Sequence, residues 1–130
     1  METKTKKRVL VTKSDQDAHE VSVRYLTQLL RDKGMEVIFT RYAIIDEVVK
    51  TAMEEDVDVI AMSFYSSGLM YDTTRLMELL KEQGLKDDIK VIIGGTISDQ
   101  EKKELLQMGV DDVFMPGMGT LLDVVECVNC

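Results

Sequence analysis

The only histidine of the sequence, His19, lies in a short polar segment that follows an apolar run. A neutral imidazole is a good ligand for a transition metal, and its second ring nitrogen is normally held by a carboxylate. Asp17 stands two residues earlier and could hold the ring, and Lys13 could pair with Asp17. One histidine does not complete a metal site, so a metal here would need a cofactor to supply its other ligands. The alternative is an exposed histidine in the first turn of a helix, with Asp15 and Asp17 favouring the positive end of the helix dipole.

Three later turns are rich in small residues, hydroxyl groups and glycine. They are Ser63-Phe64-Tyr65-Ser66-Ser67-Gly68, Gly94-Gly95-Thr96, and the segment from Phe114 to Thr120 that contains Gly117. Hydroxyl groups can bond to a buried ligand without filling its space, and glycine lets a bulky group approach the backbone. Each turn alone is also compatible with an ordinary loop. Together they predict a long slot lined by small residues, along one edge of a sheet.

The elements that must position these turns are short β-branched runs alternating with segments of helical period. The predicted strands are Arg8–Thr12, Glu36–Thr40, Val57–Met62, Lys90–Ile93 and Asp112–Met115. Helices are predicted between them, with Gly34 and Gly84 ending the first and the third. The third is expected over Thr73–Gln83 and the last over Leu121–Val128, and Ser98 with Glu101 predicts a capping box before the fourth.

Five strands with intervening helices predict an α/β fold, a doubly wound, flavodoxin-like (Rossmann-like) parallel sheet of order 2-1-3-4-5 with helices on both faces. In such sheets ligands bind beyond the carboxyl ends of the strands, at the switch point between strands 1 and 3. All four turns follow strands, so the topology brings them to this edge. A length of 130 residues predicts one domain, 1–130, in which 1–7 form a flexible basic N-terminal arm.

Composition argues against several classes of partner. The net charge of -8 does not suit a phosphate backbone, which is bound by clustered Lys and Arg, so nucleic acid is not expected. No apolar stretch approaches the ~20 residues that cross a bilayer, and the N-terminus lacks the apolar core of a secretory signal. We therefore expect a cytoplasmic protein with no membrane partner. Cys127 and Cys130 are expected to be reduced thiols in the last helical turn.

The constellation of turns resembles the cobalamin (vitamin B12)-binding domain of the mutase and corrinoid methyltransferase superfamily, over nearly the whole chain. The family motif Asp-x-His-x-x-Gly is matched by Asp17, His19 and, with a departure, Ser22. The motif Ser-x-Leu is matched by Ser63 and, with a departure, Tyr65, and the motif Gly-Gly by Gly94 and Gly95. The segments Gly34-x-Glu36-Val37-Ile38 and Glu55-Asp56-Val57-Asp58-Val59-Ile60 resemble the mutase branch, of the methylmalonyl-CoA and hydroxyacyl-CoA mutase small-subunit type.

The resemblance implies that the chain binds adenosylcobalamin in the base-off, His-on form, with the nucleotide tail buried between strands 1 and 3. His19 would be the lower axial ligand to cobalt, held by Asp17, and Lys13 matches a lysine common in the mutase branch. The expected cofactor-binding residues are Lys13, Asp17, Ala18, His19, Ser22, Ser63, Tyr65, Gly94, Gly95, Phe114 and Gly117. The chain would be the small subunit of a carbon-skeleton (acyl-CoA) mutase, inactive alone, presenting the cofactor to a separate large TIM-barrel subunit that hosts the reaction.

Two departures from the family motifs keep other functions open. Ser22 replaces a glycine beside the expected tail, and Tyr65 replaces an aliphatic residue. Either change could alter the slot or its cofactor preference. One alternative is a corrinoid carrier for methyl transfer, which would use methylcobalamin on the same lower ligand. The other is a flavodoxin-like adaptor that has lost the cofactor. A phosphorelay receiver is disfavoured, because the third strand is followed by Ser63 rather than by an aspartate.

Overall fold

Five parallel strands form one sheet in the order β2-β1-β3-β4-β5. The computed structural model describes residues 7–15, 21–64, 68–114 and 121–129, with the backbone alone at 22, 121, 122 and 129. The strands are β1 (Arg8–Ser14), β2 (Glu36–Tyr42), β3 (Val59–Phe64), β4 (Lys90–Gly95) and β5 (Asp112–Phe114). The helices are α1 (Val21–Asp32), α2 (Asp46–Glu54), α3 (Leu69–Glu82), α4 (Asp99–Gln107) and α5 (Leu121–Asn129). The predicted fold class and strand order are confirmed.

The sheet separates two apolar layers. Residues of α2, α3 and α4 pack against one face, and residues of α1 and α5 pack against the other. Successive side chains of a strand point to opposite faces, so Leu10 joins the first layer while Val9 and Val11 join the second. Because helices cover both faces, the central strands can be apolar at every position, which explains the unbroken apolar runs in the sequence.

The helix boundaries follow local sequence signals. Ser98 Oγ accepts a hydrogen bond from the backbone N–H of Glu101 at 3.2 Å, and the Glu101 carboxylate accepts one from the backbone N–H of Ser98 at 2.9 Å. The predicted capping box is therefore confirmed. Helix α3 begins at Leu69, earlier than the predicted Thr73, because Gly68 at its N-cap adopts φ 101° and turns the chain directly into the helix.

Four strands extend beyond their predicted ends at the carboxyl edge of the sheet. Strand β1 continues to Ser14, β2 to Tyr42, β3 to Phe64 and β4 to Gly95, and β3 begins at Val59 rather than at Val57. Ser63 and the glycine pair are therefore strand residues, where the sequence predicted turn residues. Serine and glycine are not typical strand residues, so the sequence pattern placed the ends of these strands too early. In the structure, hydrogen bonding to neighbouring strands extends β3 and β4 through these residues.

Two lysine side chains hold the carboxyl end of α5. Lys7 Nζ donates to the Val128 carbonyl at 2.9 Å, and Lys90 Nζ donates to the Cys127 carbonyl at 2.8 Å. Cys127 is half-buried, and its Sγ lies 3.1 Å from Asp112 Oδ2. Lys7 is thus attached to the domain, while residues 1–6 of the predicted arm and Cys130 lie outside the described residues. Within the ranges described above, no helix has both the length and the apolarity to cross a membrane.

Candidate functional site

Four of the predicted site residues lie side by side across the sheet. Register pairs join Lys13 to Ser63, Ser63 to Gly94, and Gly94 to Phe114. Paired residues of parallel strands face the same side of the sheet. That side is the layer of α1 and α5, because Phe114 packs in this layer and so does Val11, which lies two residues before Lys13 on the same face of β1. We term these four residues the cross-sheet row. They come from four strands that are distant in sequence, and the row lies at or next to the carboxyl end of each strand.

The centre of the cross-sheet row carries little side chain. Ser63 and Gly94 are both half-buried. Among the described residues, a Cβ on Gly94 would meet the Phe114 carbonyl oxygen at 3.6 Å and the Phe114 Cβ at 3.9 Å, which are ordinary contacts. The described backbone therefore does not require glycine at this position. Ser63 and Gly94 therefore place little side chain at the centre of the row, between Lys13 on one side and Phe114 on the other.

The second glycine of the pair has a different role. Gly95 adopts φ 128°, and a Cβ there would overlap the backbone carbonyl of Phe64. The same carbonyl accepts a hydrogen bond from the N–H of Thr96 at 2.8 Å. Gly95 is therefore required where β4 leaves the sheet close to the end of β3. Of the predicted pair, Gly94 leaves space and Gly95 permits a close approach of two backbone segments.

Lys13 is 1% exposed, which is unusual for a lysine. Its Nζ donates to the carbonyl of Ser14 at 2.8 Å, so the charged end lies near the carboxyl end of β1. A buried ammonium group is stable only when hydrogen-bond acceptors or carboxylates surround it. The predicted pairing with Asp17 involves a residue outside the described ranges.

The structure does not describe every predicted site residue. Lys13, Ser63, Gly94, Gly95 and Phe114 are described. Ser22 belongs to the first turn of α1 by its backbone, and nothing is described of its side chain. The predicted residues that lie outside the described ranges are Asp17, Ala18, His19, Tyr65 and Gly117.

Sequence reasoning missed a second group of polar residues at the same edge, on the side of α2 and α3. The hydroxyl of Tyr42, at the end of β2, donates to Asp72 Oδ2 at 2.7 Å. Arg75 Nη2 of α3 lies 3.3 Å from Asp46 Oδ2 of α2. Each pair joins residues about 30 positions apart that form no recognisable motif, and only the tertiary structure brings them together.

A single glutamate organises the loop between β2 and α2. Glu47 Oε1 accepts hydrogen bonds from the backbone N–H groups of Ala43 and Ile44, at 2.7 and 2.9 Å. The bond from Ile44, followed by that from Ala43, lowers the pKa of the Glu47 carboxyl below its ordinary value. Glu47 is therefore a carboxylate at neutral pH. Its position four residues after Ala43 is a local capping signal that the sequence contained.

The doubly wound sheet, with small residues in the cross-sheet row at its carboxyl edge, is typical of a ligand-binding α/β domain. The model of the B12 binding domain matches residues 7–125, and the chain belongs to this family. The predicted family is confirmed.

Two mutase small subunits are close relatives. The chain is 42% identical over 123 residues to the pivalyl-CoA mutase small subunit of Xanthobacter autotrophicus, which covers 94% of this chain and 81% of that protein. It is 37% identical over 109 residues to the 2-hydroxyisobutanoyl-CoA mutase small subunit of Aquincola tertiaricarbonis, which covers 83% of this chain and 79% of that protein.

A solved structure shares the fold. A cobalamin-binding protein from Desulfitobacterium hafniense superposes with a TM-score of 0.80 at 20% identity, over 96% of this chain and 58% of that chain. At this level of identity the likeness concerns the fold alone.

Proposed function

We propose that this chain binds adenosylcobalamin and is the small, cofactor-binding subunit of a cytoplasmic acyl-CoA mutase. Membership of the B12 binding family and the similarity to two proteins named as mutase small subunits support the proposal. The observation that carries it is the pair of small residues Ser63 and Gly94 in the cross-sheet row, and we infer that the cofactor groove lies above Gly94. A separate barrel-shaped large subunit would bind the acyl-CoA substrate.

The described side chains suit the nucleotide tail of cobalamin. A flat base with polar edges needs a floor without side chains, an apolar wall and a few hydrogen-bonding groups. Gly94 would supply the floor, Phe114 the wall and the Ser63 hydroxyl a donor or acceptor. Ser22 and Gly117 would complete the lining. Methylcobalamin has the same tail, so these residues alone do not select the upper ligand of cobalt.

The segment after β1 would hold the other end of the cofactor. In this proposal the imidazole of His19 would hold the cobalt of the cofactor, and Asp17 would accept a hydrogen bond from the N–H of the second ring nitrogen and so fix the tautomer. The buried ammonium of Lys13 would stabilise the carboxylate of Asp17. Adenosylcobalamin supplies the radical chemistry of the rearrangement when it is bound. The substrate is bound by the partner, so we expect the chain to be inactive alone.

The test uses the fact that His19 is the only histidine. The full chain is produced with ¹⁵N-labelled histidine and with unlabelled histidine, and each is mixed with cob(II)alamin for electron paramagnetic resonance. Ligation by His19 should change the nitrogen splitting from a triplet in the unlabelled protein to a doublet in the labelled one. His19→Ala should remove the protein-derived splitting.

Two outcomes would contradict the proposal. A triplet in both samples would mean that the cofactor keeps its own base on cobalt. Failure to bind any corrinoid would favour the adaptor function. If the doublet appears, two activity assays of the chain with a barrel subunit distinguish the mutase from the methyl carrier. One assay uses adenosylcobalamin, and the other uses methylcobalamin and a methyl acceptor.

A further inference from the structure

The three most exposed large apolar side chains among the described residues all lie at the carboxyl edge of the sheet. Val21 begins α1 and is 85% exposed, Ile44 precedes α2 and is 62% exposed, and Tyr71 in the first turn of α3 is 79% exposed. At the opposite edge, Met53 in the last turn of α2 and Leu106 in that of α4 are 49% and 44% exposed. Ile44 and Tyr71, on the side of α2 and α3, are termed the apolar patch.

The backbone that presents Ile44 is ordered by hydrogen bonds. The Glu47 carboxylate holds the N–H groups of Ala43 and Ile44, and the Glu47 N–H donates back to the Ile44 carbonyl at 3.1 Å. Ile44 is therefore held outward by a fixed loop. A surface that is already ordered loses little conformational entropy when a partner covers it, which favours binding.

Two side-chain contacts join the segments that carry the apolar patch. Tyr42 is buried, and its hydroxyl donates a hydrogen bond to Asp72, the residue after Tyr71. Asp46, two residues after Ile44, forms an ion pair with Arg75 of α3. These contacts fix the loop before α2 against the first turns of α3. The two apolar side chains therefore belong to one rigid surface.

Three carboxylates and one cation lie next to the apolar patch. Asp46, Glu47 and Asp72 flank the patch in sequence, Arg75 is paired with Asp46, and the whole chain has a net charge of -8. A complementary partner would present an apolar surface bordered by Lys or Arg. The patch lies at the same carboxyl edge of the sheet as the cross-sheet row, on the opposite face.

We propose that the apolar patch is a docking site for the large subunit of the mutase, with Tyr71 as its main anchor. Tyrosine is among the residue types that contribute most to protein interfaces, and its ring can be buried while its hydroxyl remains hydrogen-bonded. This inference rests on the proposed function, because that function requires a partner at the same edge. It adds a contact surface that is separate from the cofactor groove and lies on the other side of the sheet.

The experiment compares two pairs of variants of the full chain. Ile44→Ser and Tyr71→Ser change the apolar patch, while Met53→Ser and Leu106→Ser make the same kind of change at the opposite edge. Each is titrated into the acyl-CoA mutase large subunit of the same organism, with adenosylcobalamin present. The patch variants should raise the Kd about tenfold or more, and the control variants should change it less than about twofold.

Cofactor binding by each variant alone separates this inference from the proposed function. Variants that bind cobalamin and also bind the large subunit as the wild type does would overturn the docking site and leave the proposed function standing. A wild-type chain that binds no cobalamin would overturn both. If sedimentation showed that the wild type is a dimer and that Tyr71→Ser is a monomer, the patch would cover a second copy of the chain and the inference would be wrong.

Discussion

Ser63 and Gly94 are register partners on adjacent central strands, and both face the layer of α1 and α5. Strands buried on both faces normally remain apolar and branched to their ends. Here β3 and β4 change to serine and glycine in the same row, although a Cβ at Gly94 would meet no tight contact with the described residues. Two paired positions therefore bury less apolar side chain than the rest of β3 and β4. Such a loss is expected where a ligand supplies the missing contacts.

Filling the groove should prevent cofactor binding without unfolding the protein. Gly94→Leu would extend a side chain over the row, and we expect the affinity for cobalamin to fall at least about tenfold, which corresponds to about 1.4 kcal/mol. Gly94→Ala adds only a Cβ with ordinary contacts, so its thermal midpoint should stay close to that of the wild type. Absorbance titration and thermal unfolding measure the two effects. Wild-type affinity in the leucine variant would show that the groove is not the site of the tail.

The adjacent glycine should behave in the opposite way. Gly95→Ala would force a Cβ against the Phe64 backbone at φ 128°, and we expect it to lower the free energy of unfolding by about 3 kcal/mol. The matched control is Gly34→Ala, at φ 88° with no atom of the described residues within 4 Å of the added Cβ, which should cost only about 1 kcal/mol. Urea unfolding of both variants tests the difference. Equal losses would mean that the backbone contact at Gly95 is not limiting.

The loop that presents Ile44 should lose stability in acid. The pKa of the Glu47 carboxyl is lowered from 4.5 by the hydrogen bonds from Ile44 and Ala43, so its contribution is complete above about pH 4.5 and is lost as the pH falls through the lower, folded-state pKa. The advantage of the wild type over Glu47→Ala, measured by urea unfolding, should therefore be larger at neutral pH than in strong acid.

Glu47→Gln is the control for ionisation, because it keeps a hydrogen-bond acceptor that does not titrate. Its advantage over Glu47→Ala should be the same at both pH values. A wild-type advantage that did not change with pH would mean that the charge of Glu47 contributes nothing to the loop.

The carboxyl end of α5 should depend on Lys90. Lys90→Met removes a donor that is 2.8 Å from the Cys127 carbonyl and a positive charge at the end of a helix, so we expect a loss of about 1 kcal/mol in the free energy of unfolding. Lys81→Met is the comparison, since Lys81 makes a longer and exposed bond of 3.3 Å to the Met108 carbonyl after α4. A loss as large for Lys81 as for Lys90 would argue against a special role for this bond.

Much of the fold was predictable because its determinants are local. Apolar periodicity located the elements, and the capping box at Ser98 and Glu101 was recognisable from two residues three positions apart. The site was predictable only in part. Resemblance to family motifs named Gly94 and Gly95 together, yet the difference between them depends on φ and on the proximity of Phe64, which are not visible in a Gly-Gly pair.

By itself, the sequence determined the five strands, their parallel order, the family and the residue types at the carboxyl edge, because periodicity, turn chemistry and motifs act over a few neighbouring residues. Only the tertiary structure decided the register that aligns Lys13 with Ser63, the bond between Tyr42 and Asp72, and the exposure of Tyr71. These features depend on packing between segments distant in the chain. Burial and hydrogen bonding across such distances are set by the fold as a whole and leave no local pattern to read.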